Sequence, residues 1–182
     1  MAKIKVENVV ATTSIAASLD LKKIFAGLEG AQYDQKRFPG VIYHVKEPLT
    51  AVLIFRSGKL VCTGAKTIED VHIAITNVTK KIKALGFQVH SNPEIIIQNI
   101  VATSDVGSIL DLNNVAMTLR LDRVEYEPEQ FPGLVYRMDD PHVVMLLFGS
   151  GKIVCTGANN PKDAERAVDK LIEVLAAANL LR

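Results

Sequence analysis

The chain has 182 residues, 48% of them hydrophobic, with 21 Lys and Arg against 20 Asp and Glu and a formal charge of +1. That length suits one or two ordinary domains with ample apolar material for a core. Near-neutrality argues against a nucleic-acid binder working by bulk charge alone, and no apolar run approaches the roughly 18 residues of a membrane span.

The N-terminus, Met1-Ala2-Lys3-Ile4, lacks a signal-peptide pattern, so an intracellular, soluble chain is expected. Ile4–Thr13 is mostly β-branched and apolar, a strand by composition. Period two puts Val6, Asn8, Val10 and Thr12 on one face and Lys5, Glu7, Val9 and Ala11 on the other. Asp20–Leu28 follows as a helix, with Leu21, Ile24, Phe25 and Leu28 at helical spacing and Gly30 as a stop. Three strands, Val41–Lys46, Thr50–Arg56 and Lys59–Gly64, are separated by the turns Glu47-Pro48 and Ser57-Gly58. Thr67 and Asp70 resemble a capping box, opening a long amphipathic helix whose apolar face is Val71, Ile75, Val78 and Ile82. Phe87–Glu94 is a linker, too short to hold two independent bodies apart, which predicts halves packed side by side about a pseudo-two-fold axis.

The same order then recurs. Ile95–Thr103 repeats the first strand at an offset of 91, Asp111–Leu119 the first helix, and Asn160-Pro161 caps the last helix with Pro in the favoured first position. Residues 31–66 align without gaps to 124–159, with 16 identities in 36 pairs, densest in Phe38–Ala65 and Phe131–Ala158. A repeat this long is two copies of a domain-sized unit, not a solenoid. The copies differ in charge: residues 1–92 carry 13 basic against 7 acidic residues, net +6, while 93–182 carry 8 against 13, net −5. Opposite signs predict an oriented partner or two different partners, with differing solvated surfaces as the plainer reading. Cys62 and Cys155 are repeat-equivalent, so the expectation is buried, reduced thiols and no disulfide between them.

Each copy has four or five strands but only two helices, enough to cover one sheet face. A sheet with one wet face should alternate, yet Ala51–Phe55 and Leu60–Thr63 are apolar at both parities. An oily uncovered face follows, and monomers seldom expose one unless something binds there. Asn8, Val10, Thr12, Leu53, Phe55, Val61 and Thr63 share it, as do Asn99, Val101, Thr103, Leu146, Phe148, Val154 and Thr156. Phe38 and Phe55, with their repeats Phe131 and Phe148, lie near turns as symmetric pairs, which suggests inserting wedges rather than core packing.

In Gln98–Thr103 (QNIVAT), Tyr126–Gly133 (YEPEQFPG), Phe148–Lys152 (FGSGK) and Val61–Lys66 (VCTGAK) the chain closely resembles the TATA-box binding protein family, along essentially its whole length. The resemblance implies an α+β fold of two tandem pseudo-symmetric repeats, 1–92 and 93–182. They would form a saddle, a curved ten-stranded antiparallel sheet with four helices on the convex face. It implies a general transcription factor, not an enzyme, that binds and bends double-stranded TATA-box DNA through the minor groove. Phe38 and Phe55 would wedge at one end of an eight-base-pair element, Phe131 and Phe148 at the other. Asn8 and Asn99 would hydrogen-bond groove acceptors, helped by Thr63 and Thr156, over an apolar floor of Val10, Leu53, Val61, Val101, Leu146 and Val154. Phosphate contacts are expected from Arg37, Arg56, Lys59, Lys66, Arg137 and Lys152. His44, Leu49, His142 and Asn159 stand where the family often has Arg or Lys, implying fewer phosphate contacts. Glu125, Glu127 and Glu129 would face transcription factor B, with RNA polymerase joining afterwards. No cofactor or metal is implied. The short N-terminus fits the archaeal pattern, hence cytoplasmic, nucleoid-associated localisation; a eukaryotic member would be nuclear.

Two rival readings remain. Gly149-Ser150-Gly151-Lys152 is similar to a phosphate loop but lacks its upstream Gly and following Ser or Thr, and it falls in a strand turn. His44, His72, His90 and His142 make no metal spacing. The other rival is a non-DNA interaction module or a homodimer burying the oily face, and self-association without DNA is compatible with either reading.

Overall fold

A computed structural model describes residues 3–119 and 122–181. Contacts divide the chain into two compact units, Asn8–Gln98 and the chain on either side of it, through Glu7 and from Asn99. The first unit therefore keeps the linker and the opening of the second repeat's first strand, while Lys3–Glu7 belongs to the second. Within the first unit the linker is held by hydrogen bonds from Thr13 Oγ1 to the Glu94 carbonyl and from the His90 N–H to the Ile15 carbonyl, both 2.6 Å.

The first unit contains most of β1 (Lys5–Ser14), then α1 (Leu21–Gly27), β2 (Val41–Val45), β3 (Thr50–Ile54), β4 (Lys59–Ala65) and α2 (Ile68–Ala84). Its strands run antiparallel in the order β2-β3-β4-β1. The second unit holds most of β5 (Ile96–Asp105), α3 (Leu112–Thr118), β6 (Val124–Glu125), β7 (Leu134–Met138), β8 (Val143–Leu147), β9 (Lys152–Ala158) and α4 (Pro161–Ala177), with strands in the order β5-β9-β8-β7-β6. Among the described residues nine strands thus stand against the ten expected. The missing one is reduced to a bridge between Gln32 and Ile42, whose backbones exchange two 2.8 Å hydrogen bonds in the place where β6 pairs with β7. Val124 suits a strand where Ala31 and Gln32, just after a positive-φ Gly30, do not.

The helices start where their caps dictate. Asp20 accepts from the N–H groups of Lys22 and Lys23, Thr67 Oγ1 from Asp70 N–H at 3.0 Å, Asp111 from Asn114 N–H, and Asn160 from Asp163 N–H at 2.9 Å. The expected apolar face of α2 is buried, and α2 packs on β3 and β4 as α4 packs on β9. Under them one strand parity is closed: Val9, Ala11, Val52, Ile54, Leu60 and Cys62 in the first unit, Ala102, Met145, Leu147, Ile153 and Cys155 in the second. Burying each Ile or Leu contributes about 1.5–3 kcal/mol, so the covered face carries the stability and the other is free for recognition. Both cysteines are free thiols on the covered face. Burial pushes them above the ordinary 9.0 to about 11, with a hydrogen bond to Thr50 opposing it at Cys62.

Candidate nucleic-acid interface

Cross-strand register lines the uncovered parity into rows. In the first unit Ile42 faces Leu53, Leu53 faces Val61, and Val61 faces Thr12. The second unit repeats this as Val135, Leu146, Val154 and Thr103. All eight side chains are half-buried. A second row passes through Ala51 and Thr63, and through Val144, Thr156 and Val101. Ile42, Val135, Ala51 and Val144 extend the floor beyond the residues expected from sequence. Parity in β2, β3, β7 and β8 could have supplied them.

Asn8 and Asn99 interrupt this floor in a defined orientation. In each unit the ladder slips by one residue beside the Asn, between Val9 and Ala11 and between Ile100 and Val101, and the extra residue on the partner strand includes a positive-φ glycine. Gly64 has φ +89° and Gly157 φ +106°, a conformation open chiefly to glycine. The bulge frees one backbone N–H, which donates to the Asn carboxamide oxygen at 2.6 Å: Gly64 to Asn8 and Gly157 to Asn99. Each Asn Nδ2 then donates to a threonine, Thr63 Oγ1 at 3.4 Å and Thr156 Oγ1 at 3.1 Å. A carboxamide has an acceptor side and a donor side. With the oxygen held by a backbone donor, it offers N–H to an incoming ligand. Sequence placed Asn and Thr together but gave no sign of the glycine bulge that orients them.

The phenylalanines lie at the ends of the same sheets in edge-to-face pairs. Phe38 and Phe55 have ring centroids 5.7 Å apart, Phe131 and Phe148 5.9 Å. Their backbones are pinned at turns. Phe38 N–H donates to Asp34 O at 2.9 Å and Phe131 N–H to Glu127 O at 3.0 Å, while Phe55 and Phe148 close hairpins against Lys59 and Lys152. Gly40 and Gly133 seat the rings. A Cβ at Gly40 would lie 2.9 Å from the Phe38 ring and 3.1 Å from Phe55; at Gly133 it would lie 2.7 Å from Phe131 and 3.0 Å from Phe148. Phe131 is 41% exposed despite its partner. The Gly149–Lys152 stretch forms the β8–β9 turn, with Gly151 N–H donating to Phe148 O, and no helix follows it directly.

The six basic candidates are all exposed. Arg37 pairs with Asp34 and Arg137 with Glu125, each at 3.8 Å, exposed pairs of little energetic weight. The second joins a predicted phosphate contact to a predicted partner-facing carboxylate on adjacent strands. Glu127 and Glu129 are exposed in the turn leading to Phe131.

Each unit therefore presents an uncharged apolar floor, one oriented amide donor and one aromatic pair, an arrangement that can donate hydrogen bonds to acceptors on a flat surface laid against it. The family model described as "Transcription factor TFIID (or TATA-binding protein, TBP)" matches residues 3–85 and 94–178, one segment per repeat. The "TATA-box-binding protein E" of Halobacterium salinarum is 55% identical over 178 residues, covering 98% of this chain and 96% of that protein. The "TATA-box-binding protein" of Picrophilus torridus is 55% identical over 181 residues, covering 100% and 98%. Among solved structures, Methanococcus jannaschii TBP superimposes with a TM-score of 0.87 at 48% identity, over 96% of this chain and 99% of that one. The chain belongs to the TATA-binding protein family, a family of transcription factors and not of enzymes.

Proposed function

We propose that the chain is an archaeal general transcription factor that binds TATA-box DNA in the minor groove and bends it, acting in the cytoplasm at the nucleoid. The observation that carries this is the repeated uncharged floor with its clamped Asn8 and Asn99 donors. In the minor groove A·T and T·A pairs both present acceptors, whereas G·C adds a protruding amino donor. The Asn8 and Asn99 N–H groups satisfy the acceptors, and the floor of Val10, Leu53, Val61, Val101, Leu146 and Val154 leaves no room or partner for the amino group. Apolar side chains inserted between base steps unstack and kink the duplex, a behaviour described for minor-groove binders including TATA-binding proteins. Phe38 with Phe55, and Phe131 with Phe148, fill that role, since each unit holds such a pair at a backbone-pinned turn. Easily unstacked TA steps lower the cost of the kink and add selectivity without base-edge contacts.

Arg37, Arg56, Lys59, Lys66, Arg137 and Lys152 are assigned to phosphates, and Glu125, Glu127 and Glu129 to transcription factor B, which would orient the complex before RNA polymerase joins. The test is end-to-end fluorescence transfer on a short duplex bearing a TATA element, beside a G/C-substituted control. The expected result is bending of the TATA duplex alone, with affinity lowered about tenfold or more by Phe55→Ala or Phe148→Ala. Absence of bending and of A/T preference across a range of salt would overturn the proposal and return the apolar face to a homodimer or a protein partner.

A further inference from the structure

His44 stands on the uncovered face, at the outer end of a row that both units possess. In the first unit the register runs from His44 to Ala51 and from Ala51 to Thr63. In the second it runs from Arg137 to Val144 and from Val144 to Thr156. One fold position therefore holds histidine in one unit and arginine in the other, both exposed.

The charges around the two residues differ. Arg137 pairs with Glu125 of β6 at 3.8 Å. In the place of Glu125 the first unit has Gln32, the bridge partner of Ile42, and so no carboxylate. Among the described residues His44 makes no ion pair and no side-chain hydrogen bond. On β3 it faces the uncharged Ala51. On its outer side it borders a groove of about 1020 Å³ between the end of α1, β2 and the C-terminal half of α2. The titratable groups there are Glu29, Tyr43, Lys46, Glu47, Lys80 and Lys81, three cations against two carboxylates. The unit thus offers an imidazolium at this position no net counter-charge, and a ligand has to bring it.

We infer that His44 is a DNA phosphate contact that acts only when protonated, which couples DNA binding by this chain to pH. The inference rests on the DNA-binding reading above and adds to it a residue and a condition. Arginine stays charged at any working pH, whereas imidazole gains a proton as pH falls from about 8 to about 5. A phosphate oxygen beside the ring favours the charged form, so binding takes up a proton and affinity rises as pH falls. At higher pH the ring is neutral and the contact loses its charge. The phosphate contact that sequence counted as lost at this position is therefore a conditional one. His142 does not share the argument, because its counterpart is Leu49 and the repeat marks no cation there.

The test measures affinity for a short TATA duplex by fluorescence anisotropy at about pH 8 and about pH 5.5, each over a range of salt. The expected result is binding about fivefold tighter at the lower pH, with a salt slope steeper by about one phosphate contact. His44→Asn should show the higher-pH affinity and slope at both pH values, and His44→Arg the lower-pH affinity and slope at both. His142→Asn should follow the wild type, and all three variants should keep its circular dichroism spectrum. A pH effect that is absent from the wild type, survives in His44→Asn or disappears in His142→Asn would overturn the inference while leaving TATA binding in place. Loss of A/T preference and of bending at both pH values, in the wild type as in the variants, would overturn the DNA-binding reading and the inference with it.

Discussion

Asn8–Gln98 and its counterpart agree closely on one surface and diverge on the other. On the uncovered sheet face the Gly64–Asn8 hydrogen bond and the Gly157–Asn99 bond are both 2.6 Å, and the Phe pairs differ by only 0.2 Å in centroid distance, 5.7 against 5.9 Å. Away from that face Lys80 and Lys81 of α2 become Glu173 and Val174 of α4, and an open groove becomes an ion-paired surface. The difference teaches that the two surfaces answer to different demands. A ligand with near-equivalent halves, as a minor groove lined by acceptors is, can be met by the same residues twice. Partners that must tell one end of the molecule from the other need residues that differ, and charge supplies the difference without disturbing the core.

The comparison can be broken first at the hairpin glycines. A Cβ at Gly58 would overlap the Ala16 carbonyl and one at Gly151 the Ser108 carbonyl, both backbone atoms, and both residues have positive φ, +87° and +94°. Gly58→Ala and Gly151→Ala should each cost about 2–5 kcal/mol from combined overpacking and left-handed strain, read by urea denaturation, with Gly58 at the higher end. An effect below about 1 kcal/mol at either site would show that its turn relaxes freely.

Smaller and more informative is Asn8→Asp against Asn99→Asp. Aspartate keeps an oxygen for the glycine N–H but replaces the outward donor by an acceptor, so A/T-over-G/C discrimination should fall by about 1–3 kcal/mol per site. Competition binding with matched duplexes would measure it. Unequal losses at the two sites would show that the matched clamps do unequal work.

The smallest expected effect concerns the thiols. Both cysteines titrate higher in the folded chain than in the unfolded one. Their contribution is therefore complete below about pH 9 and is lost as pH rises towards about 11. Ellman titration of the native chain at pH 8 should find both thiols unreactive, and thermal stability should decline between pH 9 and 11 less in a Cys62→Ala, Cys155→Ala variant than in the wild type. Rapid labelling of one thiol would set the cores of the two units apart.

Much of this protein was settled by local chemistry. Helical patterning and the repeat placed the four described helices, and two of their caps, Thr67 and Asn160, were legible as such; Asp20 and Asp111 opened helical stretches and prove to cap them too, because all four bond to N–H groups two or three residues away. The repeat displayed two units, and apolar residues at both parities of β3 and β4 predicted an uncovered oily face. What sequence left open depended on residues distant along the chain. The orientation of Asn8 is set by a bulge 56 positions away, the facing of Phe38 and Phe55 by glycines whose missing Cβ atoms make room, and the bridge at Gln32 by a competition between weak strand propensity and one pairing with Ile42. The groove beside α2 is the furthest from sequence, since its lysines and exposed leucines come from the β2–β3 turn and the C-terminal end of α2 and stand out only beside the ion pairs that close the same position in the other unit. Propensity and capping act over one helical turn. Bulges, ring seats and charge networks are decided only when strands have paired and their side chains compete for the same space.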